Sequence, residues 1–363
     1  MASRALIHLK LVTLGDPAQL SGGYLYQQRM AAEAPAHGAQ LAFVSIPRRR
    51  FPLAIGDSGA QLRRLGPTDA VLLDSIVAAM AAPWLRRIGR MAPVVAVVHQ
   101  QPGGVDAGPL WSAIQRRLDL IAYRRVTAVI AVSDFLANEL RGLGIDASRI
   151  TVIPPGRDPA QEQPVVPTGD LRSGRAVAAI CVSNWTRNKG LHWLLEAAAV
   201  LNPATVTLHL VGETAVNPAY SRAIRARIAR DDLRKRVVVH GRVRPAELAG
   251  MLQGADLLVH PSRHESYGGA CAEAMAAGLP VIASRVDNLP YLIRDGIDGI
   301  LITPGDVPKL AAAIAVLATD EARRKQMGAS ARSRAMARPT WNQSADRFFA
   351  AIRGAIAGAA PGS

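Results

Sequence analysis

Short, fully apolar runs alternate with helix-length segments along the whole of this chain. Runs of Val, Ile, Leu and Ala recur at 70–73, 94–98, 128–132, 237–239, 257–259 and 281–283, and the similar run 207–211 also contains Thr207 and His209. Strands that are apolar on both faces belong in parallel sheets with helices packed on each side. The pattern therefore predicts an α/β fold, in which ligands bind beyond the carboxyl ends of the strands.

The length of the chain and one proline-rich segment predict two domains. At 363 residues the chain is longer than a usual single domain. Residues 154–175 contain five prolines and three glycines without sustained periodicity, which is typical of a linker. We expect two Rossmann-like doubly wound domains, 1–165 and 166–340, with a cleft between them. The final segment, 341–363, is expected to be a helix that crosses back to the first domain.

Several features predict a protein without a signal or membrane-spanning segment. His8 and Lys10 interrupt the first apolar run, which is better interpreted as a buried strand than as a signal region. The longest apolar candidate, 310–318, is too short to span a bilayer and fits a core helix. Cys181 and Cys271 match neither a metal-site spacing nor a disulfide framework. A reducing, cytoplasmic setting is expected.

The formal net charge of +15, spread over both halves of the chain, favours anionic partners such as phosphates or acidic lipid. A solvated, arginine-rich surface explains the charge equally well. Residues 83–90 are basic and amphipathic, a pattern typical of enzymes that dock peripherally on an anionic membrane, here the inner face. An ordinary solvated helix face is the alternative. Nucleic acid is not expected as a partner, since aromatic residues make up only 4% and no DNA-binding motif is evident.

The most informative stretch for function is 255–283. Its residues predict a buried strand, a loop that contains Glu265, the pair Gly268 and Gly269, an Ala-rich helix that carries Glu273, and another buried strand. Paired glycines let a ligand approach the backbone, and the start of the helix offers free N–H groups and a positive dipole end. This arrangement suits a diphosphate.

The same stretch resembles family 4 of the GT-B glycosyltransferases, whose hallmark is two glutamates separated by seven residues in this strand-loop-helix frame. The resemblance implies a retaining transfer of a sugar from a nucleoside-diphosphate sugar to an acceptor hydroxyl. It implies that Glu265 contacts hydroxyls of the transferred sugar and that Glu273 binds the ribose. The expected setting is synthesis of cell-envelope polysaccharide or glycolipid, with an acceptor that is not specified. The other donor contacts expected in this loop are Ser266, Tyr267, Gly268 and Gly269.

The resemblance covers most of the second half of the chain. Lys189 matches the family lysine that binds the diphosphate. Asn184 stands at a donor-binding position where the family more often has arginine, and Arg187 is expected to substitute for that arginine. Arg242 and Val243 match the edge of the site that contacts the base.

The match is thinner in the first half of the chain. Leu14–Tyr24 resembles the glycine-rich loop of the family, so that Gly22 and Gly23 are expected over the donor phosphates. An ordinary loop that turns into a helix is the alternative. His99 resembles a family histidine placed near the transferred sugar, although a lone histidine at the end of a strand is often structural.

These residues predict catalysis by stabilisation of charge on the leaving phosphate. The expected catalytic set is Glu265, Lys189, Arg187 and His99. Neither a metal nor a cofactor is expected, because the chain contains no Asp-x-Asp pair to hold a metal-diphosphate complex. Glycoside hydrolases also use two carboxylates, but they need no phosphate-binding features. The second hypothesis is a non-catalytic nucleotide- or nucleic-acid-binding protein of the Rossmann type.

Overall fold

The chain divides into two compact units, formed by 1–158 with 339–363 and by 159–338. The structure, a computed structural model, describes residues 6–18, 22–47, 54–104, 109–158 and 169–359. The expected domain boundary at 165/166 falls outside the described residues, as does the middle of the expected linker.

The first unit contains a six-stranded parallel sheet with the strand order β2-β1-β3-β4-β5-β6. Strands β3 and β4 are buried at every position, because helices cover both faces of the sheet. The strands are β1 (Ile7–Leu14), β2 (Ala39–Ile46), β3 (Ala70–Asp74), β4 (Val94–Val98), β5 (Ala128–Ala131) and β6 (Ile150–Val152). The α-helices between them are α1 (Gly22–Glu33), α2 (Ala54–Arg63), α3 (Ala78–Ala81), α4 (Leu85–Ile88), α5 (Pro109–Arg125) and α6 (Asp134–Gly142).

The second unit repeats this plan with the strand order β12-β11-β10-β7-β8-β9, again all parallel. The strands are β7 (Val177–Val182), β8 (Val206–Val211), β9 (Val237–Gly241), β10 (Leu257–His260), β11 (Val281–Ser284) and β12 (Gly299–Ile302). The α-helices are α7 (Leu191–Ala199), α8 (Pro218–Ile228), α9 (Pro245–Gly254), α10 (Gly269–Ala276), α11 (Leu289–Leu292), α12 (Val307–Thr319) and α13 (Glu321–Met336).

Each face of the second sheet carries its own apolar core. Val177, Ala179 and Cys181 of β7 join one core, which also contains the apolar side of α12. The intervening Ala178 and Ile180 join the other core, with α10 and α13. Successive side chains of a strand point to opposite faces, so a continuous apolar run fills both cores. The α/β class predicted from such runs is confirmed.

The last helix, α14 (Trp341–Ala359), packs on the first unit. Tyr26 of α1 lies against Phe348 and Trp341, with ring centroids 6.0 and 6.1 Å apart. Gly156 lies directly under the start of the helix, where a Cβ atom would come within 2.3 Å of Trp341 Cα. Aromatic packing therefore holds this helix to the unit formed by the beginning of the chain.

In both sheets the strand order reverses next to the first strand of the unit. The reversal lies between β1 and β3 in the first sheet and between β7 and β10 in the second. Loops diverge to opposite faces at such a switch point, so that the carboxyl ends of the two strands border a crevice. The loops after β7 and β10 carry most of the residues singled out above. Among the described residues, no helix is both long and apolar enough to cross a bilayer.

Candidate active site

The loops that leave β7 and β10 cross at the switch point of the second sheet. Gly190 has a φ of +66°, and a Cβ atom there would lie only 2.0 Å from the carbonyl oxygen of Pro261. Only glycine combines the left-handed conformation with this close approach. Nearby, Arg263 N donates to Asn188 O at 2.7 Å. The crossing holds Lys189, which lies between Asn188 and Gly190, against the loop after β10.

Lys189 and Glu265 form an ion pair at this crossing. Lys189 Nζ lies 2.6 Å from Glu265 Oε2, and His260 Nε2 lies 2.8 Å from the same oxygen. The other carboxylate oxygen accepts a hydrogen bond from Gly268 N at 3.2 Å. The side chains of Lys189 and Glu265 are only 25% and 15% exposed, so water screens the pair weakly. The site therefore holds two opposite charges that a ligand can reach.

The environment keeps both members of the pair ionised. Burial raises the pKa of Glu265, but the charge of Lys189 and the hydrogen bond from His260 outweigh burial and hold that pKa well below its usual range. Burial likewise lowers the pKa of Lys189, and the charge of Glu265 outweighs it, so that the pKa of the ammonium group is raised. Glu265 is therefore an acceptor of hydrogen bonds and not a proton donor near neutral pH.

His260 is a site residue that the sequence analysis missed. It is the last residue of β10, and its side chain is 3% exposed. Its Nε2 contacts Glu265 Oε2 and also lies 2.9 Å from Ser262 Oγ, whereas its buried Nδ1 has no hydrogen-bond partner among the described residues. The signal was a histidine that ends an otherwise apolar strand, five residues before the glutamate.

The backbone around Glu265 is braced by the loop after β11. Asp287 Oδ2 accepts a hydrogen bond from Glu265 N at 2.7 Å, and Asn288 N donates to Glu265 O at 3.2 Å. The side chain of Asn288 also donates to Tyr267 O at 2.8 Å. Asp287 adopts a φ of +46°, which is unusual for a residue with a side chain. These bonds fix the loop 265–267 from both sides.

Gly268 and Gly269 differ in what they permit. Gly268 has a φ of +93°, a conformation that side-chain-bearing residues rarely adopt, and a Cβ atom there would also push against Leu289 Cδ2 at 2.8 Å. Around Gly269 the nearest heavy atom to such a Cβ would be 4.0 Å away, in the ring of Tyr267. Gly269 begins α10, whose first N–H groups lack acceptors within the helix. Glu273 is exposed on the same helix.

Tyr267 is held by Arg338, a contact that the sequence did not indicate. Arg338 Nη2 donates to the Tyr267 hydroxyl at 2.8 Å, and the guanidinium carbon lies 5.1 Å from the ring centroid. The two residues are separated by 71 positions, and no local pattern links them. Ser266, next to Tyr267, is half-buried. The aromatic ring is thus part of the wall of the loop.

The structure does not bring Asn184 and Arg187 together with the ion pair. Asn184 Oδ1 accepts a hydrogen bond from Glu213 N at 3.0 Å and so joins the loops after β7 and β8. Arg187 is exposed and lines a surface depression of about 290 Å³ between α7 and α8, together with His192 and Tyr220. Lys189, in contrast, points to Glu265.

Arg242 and Val243 follow β9 at the same edge of the sheet. Gly212 N donates to Gly241 O at 2.8 Å, which ties the end of β8 to the end of β9. Arg242 is exposed, whereas Val243 packs against the core under α9. The loop therefore presents one cation and one apolar side chain near the carboxyl ends of the strands.

In the first unit, Gly22, Gly23 and His99 lie at the carboxyl edge of the first sheet. Gly22 begins α1, and a Cβ atom on Gly23 would contact the His99 ring at 3.4 Å. Residues 19–21 of the expected glycine-rich loop lie outside the described residues. Gln27 Nε2 lies 3.4 Å from His99 Nε2, and Gln27 Oε1 is buried without a hydrogen-bond partner among the described residues. Gln27 is therefore a second residue that the sequence analysis missed.

His99 is held in a neutral state by its surroundings. Burial lowers its pKa, and the charge of Asp74 opposes this only in part. Its backbone N–H donates to Ser75 Oγ at 3.1 Å, and Tyr26 meets its ring edge-on at a centroid distance of 5.2 Å. These contacts fix the His99 ring in place, and the ring lies at the carboxyl edge of the first sheet.

Residues 83–90 do not present an apolar face to solvent. Leu85 and Ile88 are 2% and 3% exposed, so they belong to the core of the first unit. Trp84 Nε1 donates to Ile55 O at 3.4 Å, and the guanidinium of Arg63 lies over its ring. The amphipathic pattern of this segment is explained by packing on its own domain. Its exposed side chains are Pro83 and the arginines at 86, 87 and 90.

No cluster of three or more His, Cys, Asp or Glu side chains suited to a metal ion occurs in the part of the chain that the structure describes. Cys181 and Cys271 are buried free thiols on β7 and α10. Burial raises the pKa of Cys181 to about 11, so this thiol is protonated and unreactive.

Two doubly wound parallel sheets, with the Lys189–Glu265 ion pair and a glycine-rich loop at the switch point of the second, define the GT-B fold class. Solved structures share this fold. Sucrose-phosphate synthase from Thermosynechococcus elongatus matches with a TM-score of 0.83 and 21% identity over 97% of this chain and 100% of that one. Anabaena HepE in complex with UDP and glucose matches with a TM-score of 0.79 and 20% identity over 96% and 100%.

Family models identify the chain further. Residues 7–161 match the model for Glycosyltransferase Family 4, and residues 176–320 match the model for Glycosyl transferases group 1. The D-inositol 3-phosphate glycosyltransferase of Xylanimonas cellulosilytica is 32% identical over 235 residues, which are 60% of this chain and 56% of that protein. The chain thus spans about half the length of the first curated relatives it matches. It belongs to the glycosyltransferases of the family 4 type.

Proposed function

We propose that this protein is a retaining glycosyltransferase that moves a sugar from a nucleoside-diphosphate sugar to an acceptor hydroxyl. The observation that carries the proposal is the ion pair of Lys189 and Glu265 at the switch point, beside the N-terminus of α10. A cation and a helix N-terminus suit a diphosphate. An ionised carboxylate next to them suits the hydroxyls of a sugar attached to that diphosphate.

Binding of the donor would exchange partners within the pair. Without a donor, the two charges satisfy each other. When a diphosphate enters, Lys189 pairs with a phosphate oxygen, and the Glu265 oxygen that it contacted becomes available to a sugar hydroxyl. His260 and the N–H of Gly268 stay bonded to the carboxylate and hold its orientation. The exchange leaves no buried charge without a partner, which would otherwise be costly.

The same geometry disfavours a glycoside hydrolase. A hydrolase needs a carboxylic acid with a raised pKa, which protonates the leaving group. The pKa of Glu265 is instead held well below its usual range by Lys189 and His260, against the effect of burial. Glu265 is therefore suited to holding a sugar and not to protonating it.

The rate would depend on the leaving diphosphate. Negative charge grows on the phosphate oxygens as the sugar departs, and donors fixed beforehand stabilise that charge without reorganisation. Lys189 supplies a point charge, and the first N–H groups of α10 supply dipoles. In this proposal Glu273 binds the ribose, the loop at Arg242 and Val243 contacts the base, and Gly269 leaves room for the phosphates.

UDP-glucose is the first donor to test, because the structural neighbour HepE was solved with UDP and glucose. The proposed acceptor class, a cell-envelope polysaccharide or glycolipid, is a general expectation for such enzymes, and no residue of this chain specifies it. Release of nucleoside diphosphate should be measured with UDP-, GDP- and ADP-glucose, together with a range of acceptor extracts. A retained α-configuration in the product, read from its anomeric proton signal, is expected, and an inverted product would contradict the retaining mechanism.

The site assignment is tested by Lys189→Met and Glu265→Gln. Each should lower kcat/KM about a hundredfold or more, Lys189→Met because it removes a preorganised charge facing the leaving phosphate and Glu265→Gln because it removes the ionised acceptor of the sugar hydroxyls. Lys309→Met is the matched control, because Lys309 lies in the same unit and pairs with Asp306 at the surface, with its side chain 69% exposed. Near-normal turnover in both site variants would refute the assignment. Nucleotide binding in calorimetry without sugar transfer from any donor would instead indicate a non-catalytic binding protein.

A further inference from the structure

The outer face of helix α5 in the first unit carries apolar side chains between its arginines, with Leu110 and Ile121 exposed and Ile114 half-buried. Leu110 is 70% exposed, Trp111 47% and Ile121 36%. Leu110, Ile114 and Ile121 are spaced by four and seven residues, which places them on one side of the helix. The residues that face the core, such as Asp119 and Tyr123, are buried on the opposite side. The apolar stripe is therefore a second hydrophobic face and not part of the core.

Arginines flank this stripe. Arg117 and Arg124 lie on the same exposed side of α5, and both are exposed. Arg117 has no hydrogen-bond or ion-pair partner in the described ranges, and Arg124 only donates to Leu143 O. Residues 75–125 contain seven arginines and two acidic residues, one of which is the buried Asp119. The surface formed by Leu110, Ile114, Ile121, Arg117 and Arg124 is called the α5 surface below.

We propose that the α5 surface docks the protein on an anionic lipid bilayer. Apolar side chains in line along one helix, with arginines at their flank and a tryptophan at one end, match the pattern of helices that lie in a membrane interface. The long arginine stems reach the headgroups while the apolar side chains enter the acyl boundary. This inference concerns the first unit and does not rest on the donor chemistry proposed above.

A protein partner fits this surface less well. A stable protein interface uses about 20–30 residues on each side, with a packed apolar centre. The α5 surface offers a single row of three apolar side chains. A bilayer needs no complementary shape, and its acidic headgroups match the excess of arginine. The proposal also moves the membrane contact away from residues 83–90, whose Leu85 and Ile88 side chains are in the core.

Vesicle sedimentation tests the proposal. The full chain should bind vesicles of equal parts phosphatidylcholine and phosphatidylglycerol, and it should not bind phosphatidylcholine alone. Leu110→Ser with Ile121→Ser removes the apolar part, and Arg117→Gln with Arg124→Gln removes the charged part. Each double variant should lower the partition coefficient about tenfold or more. Binding by the wild type should also weaken as salt rises, since the Debye length falls to about 8 Å at physiological ionic strength.

Two controls keep the result specific. Val200→Ser with Arg222→Gln changes an apolar residue that is 72% exposed and an exposed arginine in the second unit, and it should leave binding unchanged. The blue shift of tryptophan emission on binding should disappear in Trp111→Phe. The proposal fails if both double variants bind acidic vesicles like the wild type. It also fails if the wild type does not bind these vesicles but forms a dimer. In that case the double variant Leu110→Ser with Ile121→Ser would be a monomer.

Discussion

His260 Nε2 lies 2.8 Å from Glu265 Oε2, the same oxygen that meets Lys189 Nζ at 2.6 Å. Two donors from different loops thus converge on one carboxylate oxygen. Lys189 would leave this oxygen when a diphosphate binds, whereas His260 would remain. The histidine therefore acts as the fixed support of the carboxylate that holds the sugar.

Replacement of His260 should reveal this positioning role. In His260→Leu the Glu265 carboxylate loses a fixed hydrogen bond. We therefore expect KM for the nucleotide-sugar donor to rise about tenfold, the scale of a hydrogen bond to a charged group. His260→Gln keeps an N–H donor at similar reach and should recover most of the affinity. Steady-state kinetics with both variants check this. Equal losses in the two variants would mean that His260 only fills space.

The ion pair should also appear as coupling in stability. Lys189→Met leaves Glu265 without the lysine that it pairs with, and Glu265→Gln leaves Lys189 without its counter-charge. The double variant removes both charges, so it should be more stable than the sum of the single effects predicts, by roughly 1–3 kcal/mol for a pair that is mostly but not fully buried. Urea unfolding of the four proteins gives the coupling. A coupling near zero would contradict the structure.

The contribution of Glu265 to stability should decrease as the pH falls. The folded-state pKa of Glu265 is lowered, so its contribution to stability is present above the unfolded-state pKa, about 4.3, and is lost as pH falls towards the folded-state value. The stability difference between wild type and Glu265→Gln should therefore stay constant from neutral pH to about pH 5 and narrow below it. Urea midpoints across this range, with the Lys309→Met control at each pH, measure the trend. A difference that widens in acid would refute the assignment.

Two glycines with the same backbone conformation provide a matched test of the loop crossing. Gly190 and Gly241 have φ values of +66° and +67°, but a Cβ atom meets Pro261 O at 2.0 Å on Gly190 and nothing within 4 Å on Gly241. Gly241→Ala should cost about 1–2 kcal/mol, the penalty of the left-handed region alone. Gly190→Ala should cost more and should also weaken donor binding, because the two loops must separate. Thermal unfolding and donor titration decide this, and equal effects would show that the crossing is not strained.

The parts of the fold that follow from local pattern were predictable from sequence. The continuous apolar runs predicted parallel strands, because a strand that is buried on both faces of a sheet has apolar side chains at successive positions. The helix of α10 and its glycine pair were likewise apparent from residues next to each other in the chain. The family comparison added the two glutamates and the lysine, all within short motifs.

What the sequence did not reveal depends on contacts between distant segments. His260 was missed because a residue at the end of a buried strand is expected to be apolar, and its role arises only when the chain turns back at Pro261. Arg338 reaches Tyr267 from the end of the second unit. The role expected of Arg187 rested on its closeness in sequence to Lys189. In a tight turn, residues two apart can point to different sides, and here they do.

Because Arg187 and Lys189 point to different sides, we expect the loss of each cation to affect donor binding differently. Arg187 lines the depression between α7 and α8, near His192. The pKa of His192 is lowered mainly by burial and also by the charge of Arg187. Arg187→Gln should leave donor affinity within about twofold, because no donor group is expected in that depression. Lys189→Met should weaken donor binding at least about tenfold, since it removes a charge-assisted contact to phosphate. Calorimetric titration of both variants with UDP distinguishes the two. Comparable losses would mean that Arg187 turns towards the diphosphate when the sugar donor binds, and so substitutes for the arginine that is missing at Asn184.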